Sequence, residues 1–198
     1  MFDEKDAIAN FLSNLDILNS NSRLEQIKII VQRVARIPWG NGRSIEDVFT
    51  RGVGTCTGKH KVLQACFDQL EIKYKPVVTT FRWMDQTIKY PQHIKKILNE
   101  GSWLHGHNFI QLEDGIDIDV IFNPELKPFG FKTFPEEWDG RTSFVGFDNI
   151  IKRWNDADLD NMKSQLIETL STEQRERRQR FLDAFIEWVE TINNGMIH

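Results

Sequence analysis

Two alternating segments, Trp103 to Leu112 and Ile116 to Phe122, meet across Glu113-Asp114-Gly115, and this junction constrains the chain more than any other stretch. Side chains alternate with the period of two that a strand requires. A three-residue loop with Gly115 in the left-handed position sets Leu112 opposite Ile116 and Phe109 opposite Asp119. One face then carries His105, His107, Phe109, Gln111, Asp117, Asp119 and Ile121. The other carries Asn108, Ile110, Leu112, Ile116, Ile118, Val120 and Phe122, nearly all apolar, and is the core face. Imidazoles and carboxylates are thereby sorted together, with His107 and Asp119 diagonal neighbours that polar side chains can bridge. A two-residue loop of Asp114 and Gly115 would move Asp119 to the opposite face, so the pairing depends on register.

Around this hairpin the pattern is largely helical. Helices are expected over Ala7 to Leu18 and Arg23 to Ile37, the second with Leu24, Ile27, Ile30, Val31 and Val34 at helical spacing. Pro38, Gly40 and Gly42 form a loop, and Ser44 with Asp47 three residues on marks the start of a short helix. From Thr57 to Leu70 the apolar positions Leu63, Cys66, Phe67 and Leu70 define a helix buried along one side. A strand at Tyr74 to Trp83 and a short helix near His93 to Leu98 precede the hairpin. Residues Asn123 to Asn149 show little periodicity, with Ser143 to Phe147 read as a further strand. Helices at Leu159 to Leu170 and Thr172 to Asn193 close the chain, the last with a stripe of Phe181, Phe185, Trp188, Val189 and Ile192.

The chain holds two cysteines, Cys56 and Cys66. On one helix their Cα atoms would lie ~15 Å apart, about twice what a disulfide spans, so both are expected as free thiols in a reducing, cytoplasmic setting. Cys66 falls within an apolar stripe. Cys56 instead follows Gly52, Gly54 and Thr55 at the expected start of a helix, where unsatisfied amides and the helix dipole favour an anion. A thiol there loses its proton more readily, and the same amides can bind a developing oxyanion. The expected catalytic residues are therefore Cys56 as nucleophile, His107 as general base and Asp119 as the group that orients His107, with His105 the second candidate for the base.

Gly54-Thr55-Cys56 with its helix, His107-Asn108-Phe109-Ile110-Gln111, and Ile118-Asp119 leading to Asn123-Pro124 resemble the transglutaminase-like superfamily. Arg51 to Cys56 and Asp119-Val120 are also similar to motifs of the arylamine N-acetyltransferases. The resemblance covers Ile27 to Pro124, about half the chain, and departs in the shortness of the hairpin and at Phe109, where a tryptophan is common. It implies a papain-like Cys-His-Asp core performing acyl transfer or amide hydrolysis on a peptide, protein or small acyl substrate. The fold expected is a single α+β domain over residues 1–198, with an antiparallel sheet packed on the cysteine-bearing helix. Its core spans about 27–124, and extra helices at both termini include a C-terminal extension over about 156–193.

Two other readings use the same residues. Cys56, His60, His105 and His107 can be drawn as a tetrahedral zinc site, with His60 otherwise a surface residue beside Lys59 and Lys61. A cleft of this fold can also bind a partner without catalysis. The triad itself calls for no cofactor and no metal. With 25 basic and 29 acidic residues spread along the chain, nucleic acid is not an expected partner. No apolar run approaches the ~20 residues of a membrane span, and the acidic N-terminus is unlike a signal peptide. The six tryptophans are expected in the core. Arg175, Arg177, Arg178 and Arg180, interleaved with Glu173 and Glu176, read as a solvated helix face. Trp39, Asn41 and Arg43 are placed by position at the rim of the cleft.

Overall fold

The computed structural model describes residues 2–15, 17, 22–157 and 159–195. Capping residues set most helix starts. Asp3 accepts from the Lys5 and Asp6 amides, so α1 begins earlier than its apolar spacing suggests and runs Glu4–Ser13; its expected end at Leu18 lies outside the described residues. Ser22 caps α2 (Arg23–Ala35), and Ser44 with Asp47 forms the expected capping box of α3 (Ile45–Arg51). Thr55 caps α4 (Cys56–Gln69), which puts Cys56 at the first helical position. A further strand β1 (Tyr74–Phe81) and helix α5 (Gln92–Asn99) precede the hairpin strands β2 (His105–Leu112) and β3 (Asp117–Ile118). Then come β4 (Lys152–Asn155), α6 (Leu159–Glu168) and α7 (Thr172–Asn193), the last started by a capping box of Ser171 and Gln174.

The four strands form one antiparallel sheet in the order β3-β2-β1-β4. The hairpin register is the expected one: Ile110 pairs with Ile118, Gln111 with Asp117, and the Leu112 amide donates to Ile116 O at 2.9 Å. Gly115 has φ 89°, the left-handed conformation the three-residue loop needs. His105, His107 and Phe109 pair with Phe81, Thr79 and Val77 of β1, so alternation puts these side chains on one face.

Two expectations for the sheet are corrected, and one strand is added. The segment expected as a strand to Phe122 leaves the ladder after Ile118, because its backbone is claimed by side chains. Val120 N–H donates to His60 Nε2, and Ile121 N–H to the Asp119 carboxylate. Ser143 to Phe147 makes only a parallel bridge at Phe144 with Ile118, since the Gly146 amide also turns to Asp119. The sheet instead gains β4 along β1, a short, charged, mostly exposed strand of the kind that protects a sheet edge.

The hairpin divides two apolar clusters. Ile110, Leu112 and Ile118 pack with Ile30, Val31 and Val34 of α2 and with Val62, Cys66 and Phe67 of α4. Phe81, Trp83 and Phe147 pack with Ile94 of α5 and with Phe181, Phe185 and Val189 of α7. Phe181 and Phe185 are fully buried, each contributing about 2 kcal/mol of apolar burial. Five of the six tryptophans are buried. Among the described residues no helix is long and apolar enough to cross a membrane.

Candidate active site

Two loops stitched together ahead of α4 position Cys56. Gly54 N–H donates to Pro38 O at 3.0 Å, Gly40 N–H to Gly54 O at 3.3 Å and Thr55 N–H to Gly42 O at 2.7 Å. These glycines are needed for close approach: a Cβ on Gly42 would sit 2.2 Å from Val53 O, and one on Gly54 2.8 Å from Lys59 Cγ. The left-handed turn falls to Gly52, whose φ of 69° ends α3. The Thr55 and Gly58 amides are engaged, by Gly42 O and by Thr55 Oγ1, whereas the Cys56 amide makes no hydrogen bond among the described residues. It is a donor free to meet a developing oxyanion beside the sulfur.

The hairpin brings up the other two groups. His107 Nε2–H donates to Asp119 Oδ2 at 2.7 Å, and the carboxylate also accepts the Gly146 amide at 2.8 Å and the Ile121 amide at 3.2 Å. Both side chains are buried, so the carboxylate must be paired to stay ionised. Burial alone would raise the Asp119 carboxyl, but the charge and hydrogen bond of His107, with the Gly146 amide, hold it below its ordinary value. Burial would lower His107; Asp119, and then Cys56, outweigh it and lift the imidazole to about 9. Burial would likewise raise Cys56, yet the Lys163 ammonium, His107 and Thr57 together bring the thiol down to about 6. Cys66, with burial and no such partners, is pushed up to about 12. Near neutral pH the stable form of the pair is thus thiolate and imidazolium.

The imidazole and the thiol shift each other toward the charged forms, although His107 Nδ1 makes no hydrogen bond among the described residues. Catalytic hydrogen bonds commonly close only when substrate arrives. His105 takes no such part. Burial and the charges of Arg178, Lys163, His107 and Arg43 push it well below its ordinary value, and it has no carboxylate partner among the described residues.

His60 and Lys59 are corrections, for neither is at the surface. His60 Nδ1–H donates to Cys56 O at 2.7 Å while Nε2 accepts from Val120 N–H at 3.2 Å. Burial keeps the ring neutral, lowering it to about 4 despite Asp119, so its 3.6 Å approach to Asp119 Oδ1 is not an ion pair. His60 therefore ties the first residue of α4 to the segment that carries Asp119. With both ring nitrogens engaged it is not a metal ligand, and among the described residues no group of three or more His, Cys, Asp or Glu side chains is placed to hold a metal. Lys59 Nζ donates to Ala35 O, Ile37 O and Ile121 O at 3.0, 2.7 and 3.0 Å. Burial draws this ammonium down to about 7, but only its protonated form supplies three donors.

Lys163 of α6 had no sequence signal. Its Nζ donates to Cys56 Sγ at 3.6 Å, Thr57 Oγ1 at 2.8 Å and Asn108 Oδ1 at 3.2 Å. The arginine-rich face is also corrected: Arg177 is buried against Glu173 and Glu100, and Arg178 lines the cavity that opens at Cys56. A cavity of about 320 Å³ opens at Cys56 and His107, bounded by Trp39, Asn41 and Arg43 as expected, and also by His105, Lys163 and Arg178. Compared with known proteins, the chain matches no family model and no curated sequence.

Proposed function

We propose that the chain is a cysteine-dependent acyl transferase or amide hydrolase with a transglutaminase-like, papain-type core. The observation that carries this reading is the 2.7 Å bond from His107 to Asp119 beside a thiol at the first position of a helix. Cys56 thiolate adds to an acyl carbonyl, forming an S–C bond, while the Cys56 amide and Lys163 face the negative oxygen. The tetrahedral adduct collapses as imidazolium gives its proton to the leaving amine or thiolate, leaving a thioester on Cys56 and a neutral ring. A water or amine then attacks that thioester; His107 takes its proton, and the acid or new amide leaves as the thiolate–imidazolium pair is restored. A cavity of this size admits a small molecule or a single side chain, which favours a compact acyl group as substrate. Two free thiols, one of them activated, are consistent with the reducing, cytoplasmic setting expected.

Brief incubation with p-nitrophenyl acetate, followed by acid quench and mass spectrometry, tests this chemistry. An acetyl group on Cys56, absent from Cys66 and from the Cys56→Ala protein, is the expected result. Acetylation that does not favour Cys56 would contradict acyl transfer and leave the cleft to a binding role.

A further inference from the structure

The chain carries a net charge of -4, yet among the described residues the cavity beside Cys56 has no Asp or Glu in its lining. Its charged lining residues are Arg43, Lys61, Lys163 and Arg178, which come from the loop before α3, from α4, from α6 and from α7. Lys163 is engaged beside the sulfur by Thr57 and Asn108, neither of them an acid. Among the described residues neither the Arg43 nor the Arg178 side chain is paired with a carboxylate. The two guanidiniums instead act on each other: burial and the Arg43 charge both push Arg178 below its ordinary value. His105 lines the same cavity, responds to the same positive charge and leaves its buried Nδ1 without a hydrogen bond. Like charges gathered in a partly buried cleft are costly unless a ligand of opposite charge completes them, and such a cleft focuses its field on incoming anions.

Resting on the acyl-transfer reading, we infer that the substrate carries an anionic group, a carboxylate or a phosphate, that lodges between Arg43 and Arg178 while its acyl carbon meets Cys56. Guanidinium forks suit either oxyanion. Specificity then comes from α7 and the loop before α3, and reactivity from α4 and the hairpin.

Iodoacetate and iodoacetamide differ in charge but alkylate by the same step, in which the Sγ–C bond forms as iodide leaves with the C–I electron pair. The test is the ratio of their rates at Cys56, mapped by mass spectrometry, against the ratio for N-acetylcysteine. The ratio is expected to exceed that of the free thiol by about tenfold, as field focusing allows. It should fall toward the free-thiol value in Arg43→Gln and in Arg178→Gln, and in the unaltered protein as salt is raised to about 1 M, where the screening length shrinks to about 3 Å. Succinate protecting Cys56 from iodoacetate at lower concentration than inorganic phosphate assigns a carboxylate; the reverse order assigns a phosphate. Fast reaction with iodoacetamide, a free-thiol ratio and protection by neither anion would overturn the anion site and leave the nucleophile standing. Slow reaction with both reagents would overturn the nucleophile and the site together.

Discussion

Asp119→Asn is expected to slow acetylation of Cys56 by p-nitrophenyl acetate by about three orders of magnitude, the middle of the range for positioned acid–base groups. The carboxylate accepts from His107, from Gly146 and from Ile121, three donors onto two oxygens. An asparagine has one acceptor oxygen and one amide that only donates. If the amide replaces Oδ2, it opposes the Gly146 N–H and forces His107 Nε2 to accept, which leaves the ring proton on Nδ1, facing the thiol. If it replaces Oδ1, it opposes the Ile121 N–H and loosens the turn that presents the carboxylate. In either arrangement the imidazolium loses the anion that stabilises it, so Cys56 returns toward the thiol form at neutral pH. Stopped-flow acetylation with circular dichroism as a folding control measures the effect. A rate close to that of the unaltered protein would show that the carboxylate is incidental.

Lys59→Met is expected to destabilise the chain by about 3 kcal/mol, because three buried carbonyls lose their donors at once and each unpaired group costs about 1 to 3 kcal/mol. Methionine keeps the aliphatic packing of the stem and removes the cost of a buried charge, which offsets part of the loss. The carbonyls belong to Ala35 at the end of α2, to Ile37 in the loop that follows, and to Ile121 two residues beyond Asp119. Lys59 therefore joins the helical layer to the segment that presents the carboxylate. For a chain of this size the change corresponds to a fall of about 10 °C in melting temperature. An unchanged melting temperature would mean that water replaces the ammonium without cost.

The legible parts of the fold were those set by local chemistry. Gly115 and the alternation around it specify the hairpin register, Ser44 with Asp47 specifies the start of α3, and the apolar stripe of α7 specifies that helix from Thr172 to Asn193. That register is what brings His107 to Asp119. The polarity of Lys59 and His60 suggests a surface, but their spacing places them in the core. Lys59 stands three, four and seven residues before Val62, Leu63 and Cys66, and His60 three and seven before Leu63 and Phe67, so both lie on the buried side of α4. The ends of β3 and the isolated bridge at Phe144 depend on side chains that capture backbone amides, which no period of two can reveal. Lys163 and Arg178 stand 107 and 122 residues from Cys56, and only the packing of α6 and α7 on the rest of the molecule brings them to it.

Acyl transfer at this site requires Cys56 to be a thiolate at neutral pH, stabilised by Lys163 and by His107, which Asp119 holds. The charged groups facing the sulfur are Lys163 from α6 and His107 from β2; those facing His107 are Asp119 and the thiolate itself. The direct measurement is the rate of Cys56 alkylation by limiting iodoacetamide as a function of pH, mapped by mass spectrometry in the native protein and in His107→Ala. Because the thiol is lowered, the rate should rise to half its plateau near pH 6 and stay flat through neutrality, with the midpoint moving upward in His107→Ala. A midpoint near 8.5 that His107→Ala does not move, the behaviour of an ordinary cysteine, would contradict the claim.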